Sequence, residues 1–179
     1  MWSLACNAVL LSTLRPGSRL FDPEAMGDFH RDHARRVDIV TGCLLLISLA
    51  DWRSLQGFDE RYFVYGEDAD LCLRAASKTG RGCAITPEAV MIHAVGASSA
   101  SRPDKLELLL KGRIALARVH LAGWQRRAGA ALIVWGVWLR AMLERAGVSR
   151  GTNWAEVWRR RDRWRAGYLP AQATVKAGH

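Results

Sequence analysis

Residues 57–74 read GFDERYFVYGEDADLCLR, and the fold turns on how the carboxylates near its end, Glu67, Asp68 and Asp70, are understood. From Glu67 to Lys78 the pattern is helical: Asp68, Leu71, Cys72 and Ala75 recur at spacings of three and four and share one face. Asp70 and Arg74 stand at i,i+4 in the supportive polarity, and Gly80 supplies the C-terminal stop. Successive helical side chains point about 100° apart, so the acids cannot all serve one site. Asp68 is expected on the core-facing edge with Leu71 and Cys72, aimed at a cleft, and Asp70 with Arg74 towards solvent. Two readings of these acids share the same physics. Acids in a first turn complement the helix macrodipole; a carboxylate kept ionised there, in a cleft, can also take a proton from a hydroxyl as general base.

Around this helix the chain alternates. Before it, Val37–Ile47 (VDIVTGCLLLI) is β-branched at its start and apolar throughout, and reads as a buried strand or strand pair in which Gly42 permits a bend or a close backbone approach. Ala50–Gln56 reads as a short helix ending at Gly57, and Phe58–Gly66 as an aromatic loop. After it, Cys83–Thr86 and Ala89–His93 read as short strands around the Pro87-Glu88 turn. Beyond Pro103 three helices are expected, over Lys105–Leu121, Gln125–Ala146 and Trp154–Arg165. The alternation in the first hundred residues predicts an α/β layer, and too few strands are present to complete a sheet.

The chain has 179 residues, half of them apolar, which suffices for a real core. The four cysteines, Cys6, Cys43, Cys72 and Cys83, form no C-x-x-C pair. They read as buried thiols of a reducing compartment, not as a disulfide framework or a zinc site. MWSLACNAVLLSTLRPG carries no basic residue ahead of its apolar run and does not fit the secretory pattern. The longest apolar stretch, AGAALIVWGVWL (128–139), falls short of the roughly 18 residues a spanning helix needs. Charge divides the chain. Residues 1–101 hold 10 Lys+Arg against 12 Asp+Glu, net −2; residues 102–179 hold 16 against 5, net +11. The expected organisation is therefore an acidic α/β part over 1–101 and a helical, basic, Arg/Trp-rich extension over 102–179.

Four ordered pieces carry a resemblance: VDIVTGCLLLI, GFDERYFVYGEDADLCLR, the turn Pro87-Glu88-Ala89, and IHAVGAS (92–98). Together they resemble the family-2 inverting glycosyltransferases, especially the bacterial rhamnosyltransferase-like branch, over Val37–Ser99. The tail, which holds WRRRDRWRAGY (158–168), resembles that family more loosely. The resemblance implies the acceptor half of a nucleotide-diphospho-sugar transferase (GT-A-like) fold, in which a central mixed sheet carries helices on both faces. It implies Asp68 as the catalytic base that deprotonates an acceptor hydroxyl as its oxygen attacks the anomeric carbon of a nucleotide-diphospho-sugar, with inversion. Glu67 and Asp70 would support the site, Arg74 would hold Asp70, Gly42 would let a substrate approach the backbone, and Tyr65, with Tyr62 and Phe63, could stack on a sugar. His93 would help ligate a divalent metal, Mg or Mn, on the donor diphosphate.

The family's donor half, with its Asp-x-Asp motif, has no counterpart before Val37; Asp-x-Asp occurs only at Asp68–Asp70. The chain is thus expected to be a fragment, or a half completed by a separate polypeptide, and to be inactive alone. The implied partners are a nucleotide-sugar donor and a glycan or lipid-linked acceptor, in cell-surface polysaccharide or glycolipid synthesis. Apolar and aromatic residues with basic flanks over 125–165 suit an anionic membrane surface, which gives a cytoplasmic location, peripheral on the inner face of a bacterial membrane. Two other readings stand beside this one: an inactive remnant or partner subunit, and a basic membrane- or nucleic-acid-binding module. Against nucleic acid, no helix-turn-helix, zinc or single-strand-binding pattern is present.

Overall fold

The apolar spacing beyond Pro103 produces the body of the molecule. In the computed structural model, which describes residues 1–27, 29–92, 102–149 and 153–168, helix α5 spans Arg102–His120, α6 Gln125–Arg145 and α7 Trp154–Arg159, followed by a 3-10 turn over Arg161–Arg163. A left-handed Gly123 lies in the α5–α6 connection, and Gly147 at φ 76° closes α6 with Val148 N–H on the Leu143 carbonyl at 3.0 Å. Leu110, Ile114, Ala117, Ala130, Ile133, Val137, Val157 and Trp164 form the core between these helices. The near-continuous apolar surface of α6 has a plain cause: α1, α5 and α7 all pack on it. No helix among the described residues is long and apolar enough to cross a membrane.

Trp164 is 0% exposed, and its indole N–H donates to the Val157 carbonyl at 2.9 Å. It is therefore core, not a surface aromatic. Trp164→Phe leaves that carbonyl unpaired and a small void, and is expected to cost about 1–2 kcal/mol. The check is a lower urea midpoint at unchanged slope.

One element of this body comes from the start of the chain. Trp2–Ala8 forms helix α1, followed by a single turn, α2, over Leu11–Leu14. A Cβ on Gly136 of α6 would lie 3.0 Å from the Ala8 Cα, so α1 approaches α6 closely. Arg140 then caps the end of α1, donating to the Asn7 carbonyl at 3.0 Å and to its Oδ1 at 2.9 Å. From the sequence, this segment shows only an apolar run and turns.

The β structure is smaller than expected. Strand β1, Arg35–Val37, pairs antiparallel with β2, Cys83–Ile85, in the register Arg35–Ile85, Arg36–Ala84, Val37–Cys83. This two-stranded ribbon is the sheet of the described residues. The strand predicted over Val37–Ile47 ends at Val37, and the chain continues as a loop with Leu44 half exposed and Leu46 98% exposed. Residues 89–92 are likewise not a strand, and Val90 and Ile92 stand in solvent. A β-branched run gains from a pleated surface only where a neighbouring strand and a covering layer exist, and two three-residue strands supply neither. Where an α/β layer is expected, the described residues form a mixed chain, mostly helical with one small ribbon and without the central sheet of a GT-A-like fold.

Helix α3, Leu49–Leu55, begins on Ser48, whose hydroxyl accepts the Asp51 N–H at 3.0 Å, and stops at the left-handed pair Gln56 and Gly57. Helix α4 covers Glu67–Thr79 and ends on a left-handed Gly80. These two boundaries fall within a residue or two of the sequence expectation, because caps and glycine stops are local signals. Of the cysteines, Cys6 and Cys72 are buried as expected, whereas Cys43, on the uncovered loop, is exposed; all four are free thiols. Burial pushes the Cys72 thiol up to about 11, which keeps it protonated and unreactive.

Candidate active site at the start of helix α4

The site is built on a strained turn. Tyr65 (φ 63°) and Gly66 (φ 110°) both take positive φ, and the chain then enters α4 at Glu67. Glycine is at home there; a tyrosine is held only because its surroundings over-determine it. Those surroundings are Tyr62 and Gly112. Tyr62 is buried beneath Gly66, edge-on to Tyr168 at 6.0 Å between ring centres. Gly112 of α5 faces the Tyr65 carbonyl so closely that a Cβ there would sit 1.9 Å from its oxygen. Tyr168 adds a hydroxyl donated to the Val64 carbonyl at 2.5 Å.

Asp68 is partly exposed on the first turn of α4. Its Oδ1 accepts the Ala69 N–H at 2.7 Å and its Oδ2 accepts the Gly42 N–H at 2.9 Å. These two backbone N–H groups fix the orientation of the carboxylate at the helix N-terminus. Gly42 and Asp68, both drawn into one site by the resemblance, thus meet directly. A Cβ on Gly42 would be in ordinary contact with Asp68, at 3.5 Å from its Cβ, so glycine is not demanded there by space.

Asp70 differs from expectation. It is 0% exposed, not turned to solvent. The Arg74 Nε donates to its Oδ2 at 2.6 Å, and the His120 Nε2 lies 2.7 Å from its Oδ1. A carboxylate is an acceptor, so Nε2 carries the proton of that bond. Burial opposes ionisation of Asp70, but the bonds from His120 and Arg74 outweigh it and hold its carboxyl below the ordinary range. Arg74 also donates to the Leu55 carbonyl at 2.7 Å and the Gly57 carbonyl at 2.9 Å. One buried carboxylate therefore joins α4 to α5 directly and to the end of α3 through Arg74. The i,i+4 pair is legible in the sequence; its depth is not, because α5 covers it from some 50 residues away.

Glu67 is partly buried, and its Oε2 is a buried atom without a hydrogen-bond partner; the Tyr62 hydroxyl and Arg61 Nε share that condition. Burial, with the Asp70 charge behind it, pushes the Tyr62 phenol well above its ordinary value, so it stays a neutral donor. Phe63 is largely exposed and presents a free aromatic face, whereas Tyr62 is core and Tyr65 half-buried. His93 lies outside the described residues. Among the described residues no cluster of three or more His, Cys, Asp or Glu is placed to hold a metal ion. Asp68–Asp70 does not offer one either, since both oxygens of Asp70 are taken. The side chains described at this turn therefore do not themselves form a divalent-cation site.

Two partners of this site lie outside the set that the sequence singled out. His120 is a lone histidine at the end of a basic helix, and nothing in its spacing points to Asp70. Gly112 leaves a trace: an isolated glycine inside an apolar helical run costs about 1 kcal/mol against alanine and marks a close approach.

Residues 30–95, which span α3, α4 and both strands, match the family described as the N-terminal domain of galactosyltransferase. The segment is thus similar to glycosyltransferase sequence, in line with the resemblance carried by the quoted pieces. A rhamnosyltransferase of Escherichia coli K12, WbbL, is 47% identical to this chain over 38 residues, which is 21% of this chain and 14% of the relative. The chain thus covers a small fraction of that relative's length. No solved structure matches the chain.

Proposed function

We propose that this chain contributes the acceptor side of a glycosyltransferase, with Asp68 as the base. The observation that carries this reading is the placement of Asp68. It is partly exposed at the N-terminus of α4, is tied to the Gly42 loop, and stands inside the segment that matches the galactosyltransferase family. In the reaction Asp68 takes the proton of an acceptor hydroxyl while the resulting oxygen attacks the anomeric carbon of a nucleotide-diphospho-sugar. The nucleoside diphosphate departs on the opposite face, so configuration inverts. Glu67 and the buried Asp70–Arg74–His120 cluster hold the turn from which Asp68 projects, and Phe63 offers an aromatic face to a sugar ring. A relative named a rhamnosyltransferase and a family named for galactosyl transfer support a hexosyl or deoxyhexosyl donor.

Two three-residue strands do not form the crevice at strand ends where α/β folds place a nucleotide. The chain by itself is therefore expected to be silent, and to act together with a donor-binding polypeptide. Anionic lipid at the membrane is the expected setting, with Trp124, Trp135, Arg126 and Arg127 exposed along α6. The test compares extracts of cells lacking the chain, carrying it, and carrying Asp68→Asn, each supplied with labelled nucleotide-sugars. Transfer to an acceptor is expected to depend on the chain and to fall about a hundredfold with the substitution. Transfer indifferent to the chain, or undiminished in Asp68→Asn, overturns the reading.

A further inference from the structure

A groove lies on the helical body, lined from α5, α6, α7 and the turn that follows α7. It measures about 530 Å³ and runs between α6, α7 and the 3-10 turn after α7, walled by Val134, Trp135, Trp138 and Trp158 with Arg118 and Arg165 at its rim. That volume is in the range of small-molecule sites. Trp135 and Trp138 lie 4.6 Å apart at 36°, and Trp135 is 50% exposed. A tryptophan held half in water beside a partly buried neighbour, on a helix whose opposite face is core, gives up apolar burial that a ligand would restore.

The rim is positive. Arg118 donates to the carbonyls of Ala166 and Arg165 and has no carboxylate partner among the described residues. Arg161 lies over the Trp158 ring at 5.4 Å. Arg165 meets Asp162 at 3.0 Å on the open surface, where such a pair is weak. At the groove itself two guanidinium groups, Arg118 and Arg165, thus stand against the one carboxylate of Asp162.

We infer that this groove binds one molecule of an anionic amphiphile, a phosphate-headed compound with a single hydrocarbon chain. The lining side chains decide the class. They are alanine, valine, tryptophan and arginine, which supply apolar surface, N–H donors and positive charge, but no carboxylate, amide or hydroxyl acceptor. A sugar, a ribose or a base edge brings donors that such walls leave unpaired. A phosphate headgroup is acceptor-only and finds the guanidinium rim, while its chain covers the indoles. The inference stands on the helical body alone and does not depend on the transferase reading.

Tryptophan emission and calorimetry of the full chain, titrated with dodecyl phosphate below its micelle concentration, test it. Saturable one-to-one binding is expected, weaker by about tenfold or more for the neutral dodecyl maltoside. Trp135→Ala and Arg165→Ala, both at exposed positions, should each weaken it by about tenfold with an unchanged circular dichroism spectrum. Equal affinity for the two amphiphiles, uptake without saturation, or binding indifferent to both substitutions overturns the proposal. So does displacement by an equal concentration of inorganic phosphate, or binding seen only with phosphatidylglycerol vesicles and never with the monomer.

Discussion

Asp70→Asn is expected to lower the unfolding free energy by about 3–5 kcal/mol, the range found when one partner of a buried ion pair is removed. The magnitude comes from geometry. Both oxygens of Asp70 accept, one from Arg74 at 2.6 Å and one from His120 at 2.7 Å. An asparagine has one acceptor, which Arg74 can keep, and one amide NH₂, which His120 can meet only by changing tautomer so that Nε2 accepts; the negative charge is lost either way. The Arg74 guanidinium would then sit largely buried without its counter-charge, and its bonds to the end of α3 would be all that held it. Acid should reveal the same linkage. The folded carboxyl titrates below its unfolded value of about 3.9, so the unfolded chain binds more protons and stability falls as pH falls. The contribution of Asp70 is complete above about pH 4 and is lost as pH drops through its folded value. Urea melts from pH 7 downward should show the wild-type and Asp70→Asn stabilities converging at the acid end. A constant gap across that range would mean that the carboxylate contributes through shape, not charge.

That carboxylate also shows how the sequence informs and misleads. The helix Glu67–Thr79 is legible because its start, its pattern and its glycine stop are encoded within a dozen neighbours. The pairing of Asp70 with Arg74 is legible for the same reason. Which side of the pair faces water is not, because an i,i+4 pair looks identical at the surface and beneath another helix. His120 of α5 settles that, and its contact spans 50 residues with no periodicity to announce it. The strand expected over Val37–Ile47 fails for the converse reason. Its composition is right for a sheet interior, but the sheet of the described residues is a two-stranded ribbon with no layer over this run. The helix Trp2–Ala8 is unreadable alone because seven residues are too few to form a helix without the α6 surface that receives them. Asp68 stands on the first turn of α4, and its bond to Gly42 joins two of the four pieces that carry the resemblance.

Gly112→Ala is expected to be the most informative single substitution for the link between fold and site. In an open helix interior this change would stabilise by about 1 kcal/mol through helix propensity. Here the added Cβ would meet the Tyr65 carbonyl oxygen at 1.9 Å and its carbon at 2.8 Å, and both atoms are backbone and cannot rotate away. Either α5 withdraws, opening the contact of His120 with Asp70, or the Tyr65–Gly66 turn is pushed out of its positive-φ conformation. Overpacking of this kind typically costs about 1–3 kcal/mol and occasionally more; the contact here is to fixed backbone, so a net loss of about 3 kcal/mol is expected despite the propensity gain. Two measurements separate the outcomes. If α5 withdraws, Gly112→Ala and Asp70→Asn should be strongly non-additive, because the first already breaks what the second removes. If the turn yields instead, the two losses should add, and amide exchange should speed up at the first turn of α4, where Asp68 and Gly42 meet. A stabilised Gly112→Ala would show that the close passage of α5 over Tyr65 is not a feature of the folded protein.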